Sequence, residues 1–268
     1  MITMEWILLG TGAADWQELR ESGEYRGYTS TLLDSHILLD CTEHSLRKMK
    51  ELGIEWAQVT DLFFTHSHDD HCDVKAVRAI AEARQKVHGS PLRIYGEGSW
   101  IQTLFAPEES FWQVSRLCAY EEVRCGEYRL LPLAANHRTE RETETALSYL
   151  VRRGEHAVLY ALDGAWMLNK TWQVLRKTTI DAWIVDCTIG DGHEGDFRIF
   201  EHNSLPMVRA MANTLMAKTP YGPPVLKQGA PIILNHLAKT LHPCQEELEQ
   251  MLQPPFVVAR DGMRLRIG

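Results

Sequence analysis

Three histidines and a carboxylate lie within six residues of one another near the first quarter of the chain. They belong to the run Thr65-His66-Ser67-His68-Asp69-Asp70-His71, which directly follows the apolar run Leu62-Phe63-Phe64. Imidazole and carboxylate groups suit zinc, and also manganese or iron. On an extended loop the two alternate histidines point to one side, while the following Asp-His pair can turn to another. The run therefore predicts parts of two neighbouring metal sites; the alternative is a solvated polar loop.

The spacing of this run resembles a family signature. His66, His68, Asp70 and His71 match the His-x-His-x-Asp-His pattern of the metallo-β-lactamase superfamily. That family needs three further ligands, and each has a candidate at the end of a predicted strand: His137, Asp163 and His236. Taken singly, His137 would more often be an ordinary surface or core histidine, Asp163 is compatible with a turn-forming aspartate, and His236 with a hydrogen-bonded histidine. Their order along the chain is what the resemblance adds.

The resemblance implies a fold and a metal content. The fold is an α/β, four-layer αββα sandwich, and the cofactors are two divalent metal ions, zinc or manganese, with iron also compatible. One ion would be held by His66, His68 and His137, the second by Asp70, His71 and His236, with Asp163 bridging the two. A solvent molecule between the ions would have its pKa lowered to about 7, which makes a hydroxide nucleophile available. We therefore expect a hydrolase, with Asp70 in its catalytic centre.

A histidine before a predicted helix indicates the branch of the family. In phosphodiesterase members, including the tRNA 3′-processing enzymes and the cyclic-phosphate phosphodiesterases, a histidine at such a place contacts the phosphate and protonates the leaving oxygen. His202, in Phe200-Glu-His-Asn-Ser204, is the catalytic candidate for that role. His193, in an acidic loop at 191–196, is the competing candidate. The alternative for His202 is a histidine that only packs at the entry of the helix.

The expected substrate is a small or cyclic phosphate ester. Residues 12–30 contain no cysteine, so the extra structural zinc of the cyclic-phosphate phosphodiesterases is not expected. No lysine-rich glycine segment interrupts the chain, and the net charge is −8, so binding of nucleic acid is disfavoured. The alternatives are a lactone, thioester or β-lactam hydrolase on the same fold, a tRNA-processing nuclease, which is less favoured, and a metal-containing binding module without hydrolysis.

Two other features could line the pocket. The turn Gly10-Thr11-Gly12 lies beside the active site in the family, although it lacks the third glycine of a dinucleotide-binding fingerprint. The segment 15–28 is compatible with a substrate-facing loop and equally with an ordinary surface loop. Arg26 and Arg138 are candidates for contact with a phosphate.

The elements that must position these residues alternate along the chain. Apolar runs predict strands at 6–9, 31–34, 37–40, 60–65, 92–95, 146–152, 156–162, 182–186, 231–234 and 263–267, with shorter strands within 115–134. Helical spacing and end signals predict helices at 43–52, 73–87, 98–106, 166–177, 204–217 and 243–252. Two blocks of strands, each followed by helices, favour sheets covered by helices.

Composition limits the remaining choices. With 44% hydrophobic and 24% charged residues in 268, the chain is not disordered, and the absence of a linker predicts a single domain over residues 1–268. The six cysteines are scattered without a Cys-x-x-Cys pair, which favours reduced thiols. With no signal peptide or membrane span in the sequence, we expect a cytoplasmic protein. A homodimer is compatible with the family.

Overall fold

The computed structural model describes residues 3–105, 110–220 and 222–268. The first sixteen elements to be named run from the N-terminus to the middle of the second sheet. They are β1 (Met4–Gly10), β2 (Ser30–Leu33), β3 (Ile37–Leu39), α1 (Glu43–Glu51), a 3-10 helix (Trp56–Gln58), β4 (Asp61–Phe63), α2 (Val74–His88), β5 (Leu92–Glu97), α3 (Ile101–Leu104), β6 (Trp112–Leu117), β7 (Val123–Cys125), β8 (Tyr128–Ala134), β9 (Leu147–Arg153), β10 (His156–Ala161), α4 (Asn169–Leu175) and β11 (Ala182–Asp186).

The C-terminal part completes the second sheet and returns to the first. Its elements are a 3-10 helix (Phe197–Phe200), α5 (Leu205–Leu215), β12 (Ile232–Asn235), α6 (Gln245–Met251), β13 (Phe256–Val258) and β14 (Met263–Ile267). The strands form two seven-stranded sheets, with the orders β14-β1-β2-β3-β4-β5-β6 and β13-β12-β11-β10-β9-β8-β7. Each sheet is mixed, with β3 to β6 parallel in the first and β10 to β13 parallel in the second.

Alternation of side chains along the strands produces four layers. In β1, Trp6 and Leu8 enter the core between the two sheets, whereas Ile7 and Leu9 enter the core beneath α1 and α2. The same alternation in β10 sends its side chains either into the intersheet core or beneath α5. Because a strand buried on both faces must be apolar at successive positions, these strands appear in the sequence as continuous apolar runs. The predicted αββα sandwich is confirmed.

The sequence signals for helix ends are confirmed in two of the helices, whereas two other helices are shorter than predicted. Asp73 caps α2 by accepting bonds from the backbone N–H groups of Lys75 and Ala76, and the helix ends at Gly89 in the left-handed conformation. Ser204 caps α5 in the same way. The predicted helix 166–177 is shorter, Asn169–Leu175, and of the predicted helix 98–106 only Ile101–Leu104 is helical, position 106 lying outside the described residues.

The structure contains a strand that the sequence did not predict. β13, Phe256–Val258, pairs in parallel with β12 at the edge of the second sheet. It is three residues long and follows Pro254-Pro255, so neither its length nor its preceding residues predict a strand. Only the long-range pairing with β12 defines it. Within the described ranges, none of the helices has both the length and the apolar character needed to span a bilayer.

Candidate metal centre

The predicted ligands come together at one edge of the two sheets. His66, His68, Asp70 and His71 follow β4, His137 follows β8, Asp163 follows β10 and His236 follows β12. Since β10, β11 and β12 are parallel, the loops after them leave the same edge of the sheet. β8 points the same way because it pairs antiparallel to β9, which is itself antiparallel to β10. Residues separated by up to 170 positions therefore meet.

The first cluster of donor atoms contains three imidazoles and one carboxylate oxygen. His66 Nε2 lies 3.0 Å from His68 Nδ1, and His137 Nε2 lies 3.3 Å from the same Nδ1 atom. Asp163 Oδ2 lies 3.7 Å from His66 Nε2 and 3.8 Å from His137 Nε2. The three histidines form one of the groups of side chains that could hold a metal ion.

The second cluster lies on the other oxygen of the same aspartate. Asp163 Oδ1 is 3.2 Å from both His71 Nε2 and His236 Nε2, and those two nitrogens are 3.4 Å apart. Asp70 Oδ2 completes the cluster at 3.6 Å from each of the two nitrogens. Asp70, His71 and His236 form a second group that could hold an ion.

The spacing of these atoms fits metal ligation better than hydrogen bonding. A tetrahedral ion with bonds of about 2.0–2.1 Å places its ligand atoms about 3.3–3.4 Å apart, in the middle of the observed distances. Among the described residues, Asp163 Oδ1 is buried without a hydrogen-bond partner, although an unpaired buried acceptor is costly. The donor set of imidazole and carboxylate is also that of zinc and manganese sites. The side chains present therefore fit two divalent ions.

The electrostatics of the centre favour a cation. Burial alone would raise the pKa of Asp163, but the neighbouring His236 and His71 hold it well below its usual range. Burial opposes the charging of His71, yet Asp163, Asp70 and Asp40 together raise its pKa well above the usual value. Burial and the neighbouring imidazoles lower the pKa of His66, which keeps that ring neutral and able to act as a ligand.

Hydrogen bonds behind the imidazoles fix their orientation. His71 Nδ1 donates to Asp40 Oδ2 at 2.9 Å, and Asp40 also accepts from the backbone N–H and hydroxyl of Thr65. Such a bond fixes the tautomer that leaves Nε2 with its lone pair free. His236 Nδ1 lies 2.8 Å from Thr188 Oγ1, and His137 Nδ1 donates to a backbone carbonyl, that of Glu201, at 3.0 Å.

The sequence interpretation missed the supporting carboxylates Asp40 and Asp186, the second of which accepts a hydrogen bond from His202 Nδ1, although a signal for both exists. Asp40 and Asp186 each follow a buried apolar run, as Asp163 does, and both are fully buried. A buried carboxylate at a strand end needs partners, and the imidazoles of the centre provide them. Glu144 is a third missed residue: its carboxylate accepts from the backbone N–H of Ser67 at 2.8 Å and from its hydroxyl at 2.6 Å, which joins the 135–146 loop to the loop between His66 and His68.

His202 lies against the predicted ligands. Its Nδ1 donates to Asp186 Oδ2 at 2.7 Å, and its ring stacks on His236 with centroids 5.3 Å apart and meets the edge of His137 at 4.9 Å. Burial opposes its charge, but Asp186 raises the pKa of His202 to about 9. Asp186 and His202 also lie close enough to Asp163 and His236 for a metal; the short bond to Nδ1, however, occupies Asp186 Oδ2 and leaves only Nε2 of the ring available.

The other candidates occupy different places. His193 is exposed on its loop, and its backbone carbonyl accepts a hydrogen bond from the N–H of Asp196 at 3.0 Å. Arg138 is exposed. Arg26 is 4% exposed and is bonded to Thr11, Gln245 and the Ala259 carbonyl, so its guanidinium is occupied within the protein and the predicted phosphate contact is wrong.

The glycine turn after β1 packs beside the centre. The backbone N–H of Leu237, next to His236, donates to the Thr11 carbonyl at 3.0 Å. A Cβ at Gly10 would come within 1.9 Å of the Tyr28 carbonyl oxygen, so only glycine allows the 26–28 segment to approach this closely.

All six cysteines are free, as their scattered positions in the sequence predict.

Comparisons with known proteins agree with this geometry. A model of the beta-lactamase superfamily domain matches residues 35–218. The metallo-beta-lactamase fold protein YhfI from Bacillus subtilis superposes with a TM-score of 0.72 at 14% identity, over 99% of this chain and 100% of its own. A diphosphatase of the PhnP family gives 0.73 at 17% identity, over 99% and 97%. The short form of human tRNase Z gives 0.69 at 16% identity, over 97% and 98%.

A curated relative matches only a short segment. Ribonuclease Z from Salinibacter ruber is 42% identical over 36 residues, which are 13% of this chain and 11% of that protein. The structural similarities, at these low identities, concern the fold. The family model, in contrast, covers more than half of the chain. The chain therefore belongs to the beta-lactamase superfamily and has the metallo-β-lactamase fold.

Proposed function

We propose that the protein is a metal-dependent phosphodiesterase that hydrolyses a small or cyclic phosphate ester. The observation that carries the proposal is the Asp186–His202 pair, which lies against the imidazoles of the centre with its 2.7 Å hydrogen bond. A lactone, thioester or β-lactam whose leaving group departs easily does not need a separate general acid. An alkoxide that leaves from phosphorus does need one, because it must be protonated as it departs.

Seven side chains are the proposed metal ligands. The first ion, zinc or manganese with iron also compatible, is assigned to His66, His68 and His137, the second to Asp70, His71 and His236, and Asp163 is assigned to both. The distances of 3.0–3.8 Å in the first cluster and 3.2–3.6 Å in the second support this division. Asp163 Oδ2 lies in the first cluster and Oδ1 in the second, which supports the bridging role.

The proposed mechanism divides the work between the ions and the chain. When bound, the two ions would supply Lewis acidity that activates a water molecule and offsets the charge on the phosphate oxygens. Asp40, Thr188 and the Glu201 carbonyl hold His71, His236 and His137 in the orientation that presents Nε2 to the centre. Asp186 holds the proton of His202 on Nδ1 when the ring is neutral, so Nε2 is the atom that carries a proton to the leaving oxygen.

Two features support a small substrate. The net charge of −8 disfavours a long polyanion, whose binding depends on many cationic contacts. The diphosphatase of the PhnP family superposes on nearly the whole chain with a TM-score of 0.73, against 0.69 for the short form of human tRNase Z. A homodimer stays a prediction, which a sedimentation measurement of the mass in solution would test.

The test compares leaving groups in the metal-loaded protein. We expect the wild type to hydrolyse bis-p-nitrophenyl phosphate with manganese or zinc supplied. His202→Ala should lose about 10²–10⁴-fold in kcat with alkyl phosphodiesters and much less with p-nitrophenyl esters, because only the poor leaving group needs a proton. His193→Ala is the matched control and should change neither rate. An equal loss of kcat for both substrates would show that His202 is not the general acid. Hydrolysis of a thioester or lactone, without hydrolysis of bis-p-nitrophenyl phosphate, would show that the protein is not a phosphodiesterase.

A further inference from the structure

A carboxylate of the 135–146 loop binds the residue that separates two of the proposed ligands. Glu144 Oε1 accepts from the backbone N–H of Ser67 at 2.8 Å, and Oε2 accepts from the Ser67 hydroxyl at 2.6 Å. Ser67 is the single residue between His66 and His68. Hydrogen bonds to a carboxylate are stronger than those between neutral groups, so two of them restrain both the position and the orientation of the Ser67 backbone.

The segment that carries Glu144 is itself attached to the strands. The backbone N–H of Leu147, the first residue of β9, donates to the Thr65 carbonyl at 2.8 Å. The backbone N–H of Ala135 donates to the Ala146 carbonyl, also at 2.8 Å, which joins the two ends of the loop. Thr65 and Ser67 are the two chain neighbours of His66, so the segment 144–147 holds the ligand loop on both sides of that residue. Glu144 therefore acts from a fixed base.

His68 differs from the other imidazoles of the centre in what holds its ring. It directs Nδ1 into the first cluster, whereas the other four imidazoles direct Nε2. The Nδ1 atoms of those four have partners behind the ring: Thr65, Asp40, the Glu201 carbonyl and Thr188. Within the described residues, the corresponding Nε2 atom of His68 makes no hydrogen bond. The position of His68 thus depends on its backbone, which Ser67 precedes directly.

The second cluster is held by contacts that do not pass through Ser67. Asp40 orients His71, and Thr188 orients His236. The backbone after His71 is also anchored to the end of β3, because the Cys41 N–H donates to the His71 carbonyl and the Asp73 N–H donates to the Cys41 carbonyl, each at 2.9 Å. The two clusters therefore have separate supports.

We propose that Glu144 is a positioning residue for the first metal ion. It places His68 through the Ser67 backbone and so sets the affinity of the first site, without a comparable effect on the second. The inference rests on the metal ligands assigned in the proposed function and adds a residue that belongs to neither ligand set. A change at this residue should separate the binding of the two ions.

The experiment measures zinc binding to the full chain by competition with a chromophoric chelator. His68→Ala and Asp70→Asn identify the binding steps of the first and the second site. Glu144→Ala removes both bonds to Ser67, whereas Glu144→Gln keeps both available, since an amide can accept from the N–H and donate to the hydroxyl oxygen. Glu142→Ala is the matched control, because it removes the same charge from an exposed position of the same loop.

We expect Glu144→Ala to weaken the step identified by His68→Ala by about 10–100-fold, the usual loss for a residue that supports a metal ligand. The step identified by Asp70→Asn should change less than about threefold, and Glu144→Gln and Glu142→Ala should change neither step by more than that. Ser67→Ala loses only the 2.6 Å bond and should fall between Glu144→Gln and Glu144→Ala. It carries the test if metal-free Glu144→Ala shows no cooperative unfolding transition in urea.

Three results overturn the inference. If the wild type binds fewer than two zinc ions, or if His68→Ala leaves both steps unchanged, the ligand assignment fails and the role of Glu144 fails with it. If the wild type binds two ions and Glu144→Ala weakens both steps equally, or neither, Glu144 only joins two loops and the ligand assignment stands. If Glu144→Gln or Glu142→Ala loses as much affinity as Glu144→Ala, the charge of the loop sets the affinity, and the hydrogen bonds to Ser67 do not.

Discussion

Replacement of Asp40 by asparagine separates orientation of a ligand from stability of the fold. Asp40 is fully buried and accepts from Thr65 N at 2.8 Å, Thr65 Oγ1 at 2.9 Å and His71 Nδ1 at 2.9 Å. Asparagine keeps the shape and also tolerates the left-handed backbone at this position, where φ is 58°. Its amide group, however, presents an N–H to His71 where the carboxylate accepted one.

The expected consequence is a change of tautomer. His71 Nδ1 must then accept, so its proton moves to Nε2, the atom that faces Asp163 and Asp70. A protonated Nε2 cannot bind a metal ion. Loss of a supporting partner of this kind costs about 10–100-fold in metal affinity, which is about 1.4–2.8 kcal/mol. The metal-free protein should also lose about 1–3 kcal/mol of stability, because Asp40 is one partner of a buried pair with His71.

Asp61 provides the matched control. It is equally buried but begins β4, whereas the ligand loop follows that strand, and its partner is Arg93, with Nε at 2.6 Å. Arg93 is half-exposed, so Asp61→Asn should cost about 1–2 kcal/mol of stability. It should leave metal affinity unchanged.

The assay measures both quantities on each variant. Competition with a chromophoric chelator gives the metal affinity, and urea unfolding of chelator-treated protein gives the stability of the metal-free fold. Metal-induced stabilisation should fall in Asp40→Asn by the same free energy as the affinity, since an ion bound only to the folded state stabilises it by mass action. If Asp40→Asn binds metal as the wild type does, or if Asp61→Asn weakens binding equally, the proposed orientation of His71 by Asp40 is refuted.

Two further predictions concern the bridging carboxylate and a buried histidine. Asp163→Asn should reduce the metal content of metal-replete protein from about two ions per chain to well under one, measured by plasma mass spectrometry; retention of both ions would disprove bridging. Burial lowers the pKa of His242 to about 4, so its folded pKa lies below the unfolded value of 6.5 and stability is lost as the pH falls from 6.5 towards 4. His242→Gln, whose amide can still donate to the Cys187 carbonyl, should regain about 2 kcal/mol relative to wild type between about pH 7.5 and pH 5 in urea unfolding, and parallel curves would contradict this.

The sequence was most informative where a chemical requirement acts over a short distance. The spacing of His66 to His71 is local, and the apolar runs and helix caps around it are local as well. The fold class followed from these and from the family resemblance. Strand β13 could not be predicted, because its three residues are a strand only by pairing with β12. The same limit explains Arg26, since the sequence gives no sign that its partners, Gln245 and Ala259, close over it.

Aspartates at strand ends show why the supporting residues were missed. Asp40, Asp163 and Asp186 each follow an apolar run and are buried. Their neighbours in sequence are alike, so nothing local states which one meets two imidazole clusters and which ones stand behind a single ring. The order of the strands decides this: β11 lies between β10 and β12, so Asp186 reaches His202 and Thr188, while Asp163 at the end of β10 faces the loop after β4.

The backbone conformation at the centre also shows that tertiary contacts, rather than local preference, position these residues. Asp40, Asp163 and His236 have φ of 58°, 47° and 56°, and they account for half of the six non-glycine residues with positive φ in the described ranges. Such a conformation costs on the order of 1–3 kcal/mol at each position, so local preference opposes the geometry that aims these side chains at one another. Tertiary contacts offset the cost: the carbonyl of His236 accepts from Thr188 Oγ1, and the carboxylate of Asp40 binds Thr65. Three strand ends that face one cluster thus keep a strained backbone conformation. Such strain is expected where the position of a side chain matters more than the stability of the fold. A metal centre imposes that requirement, because its ligands must converge within a few tenths of an ångström.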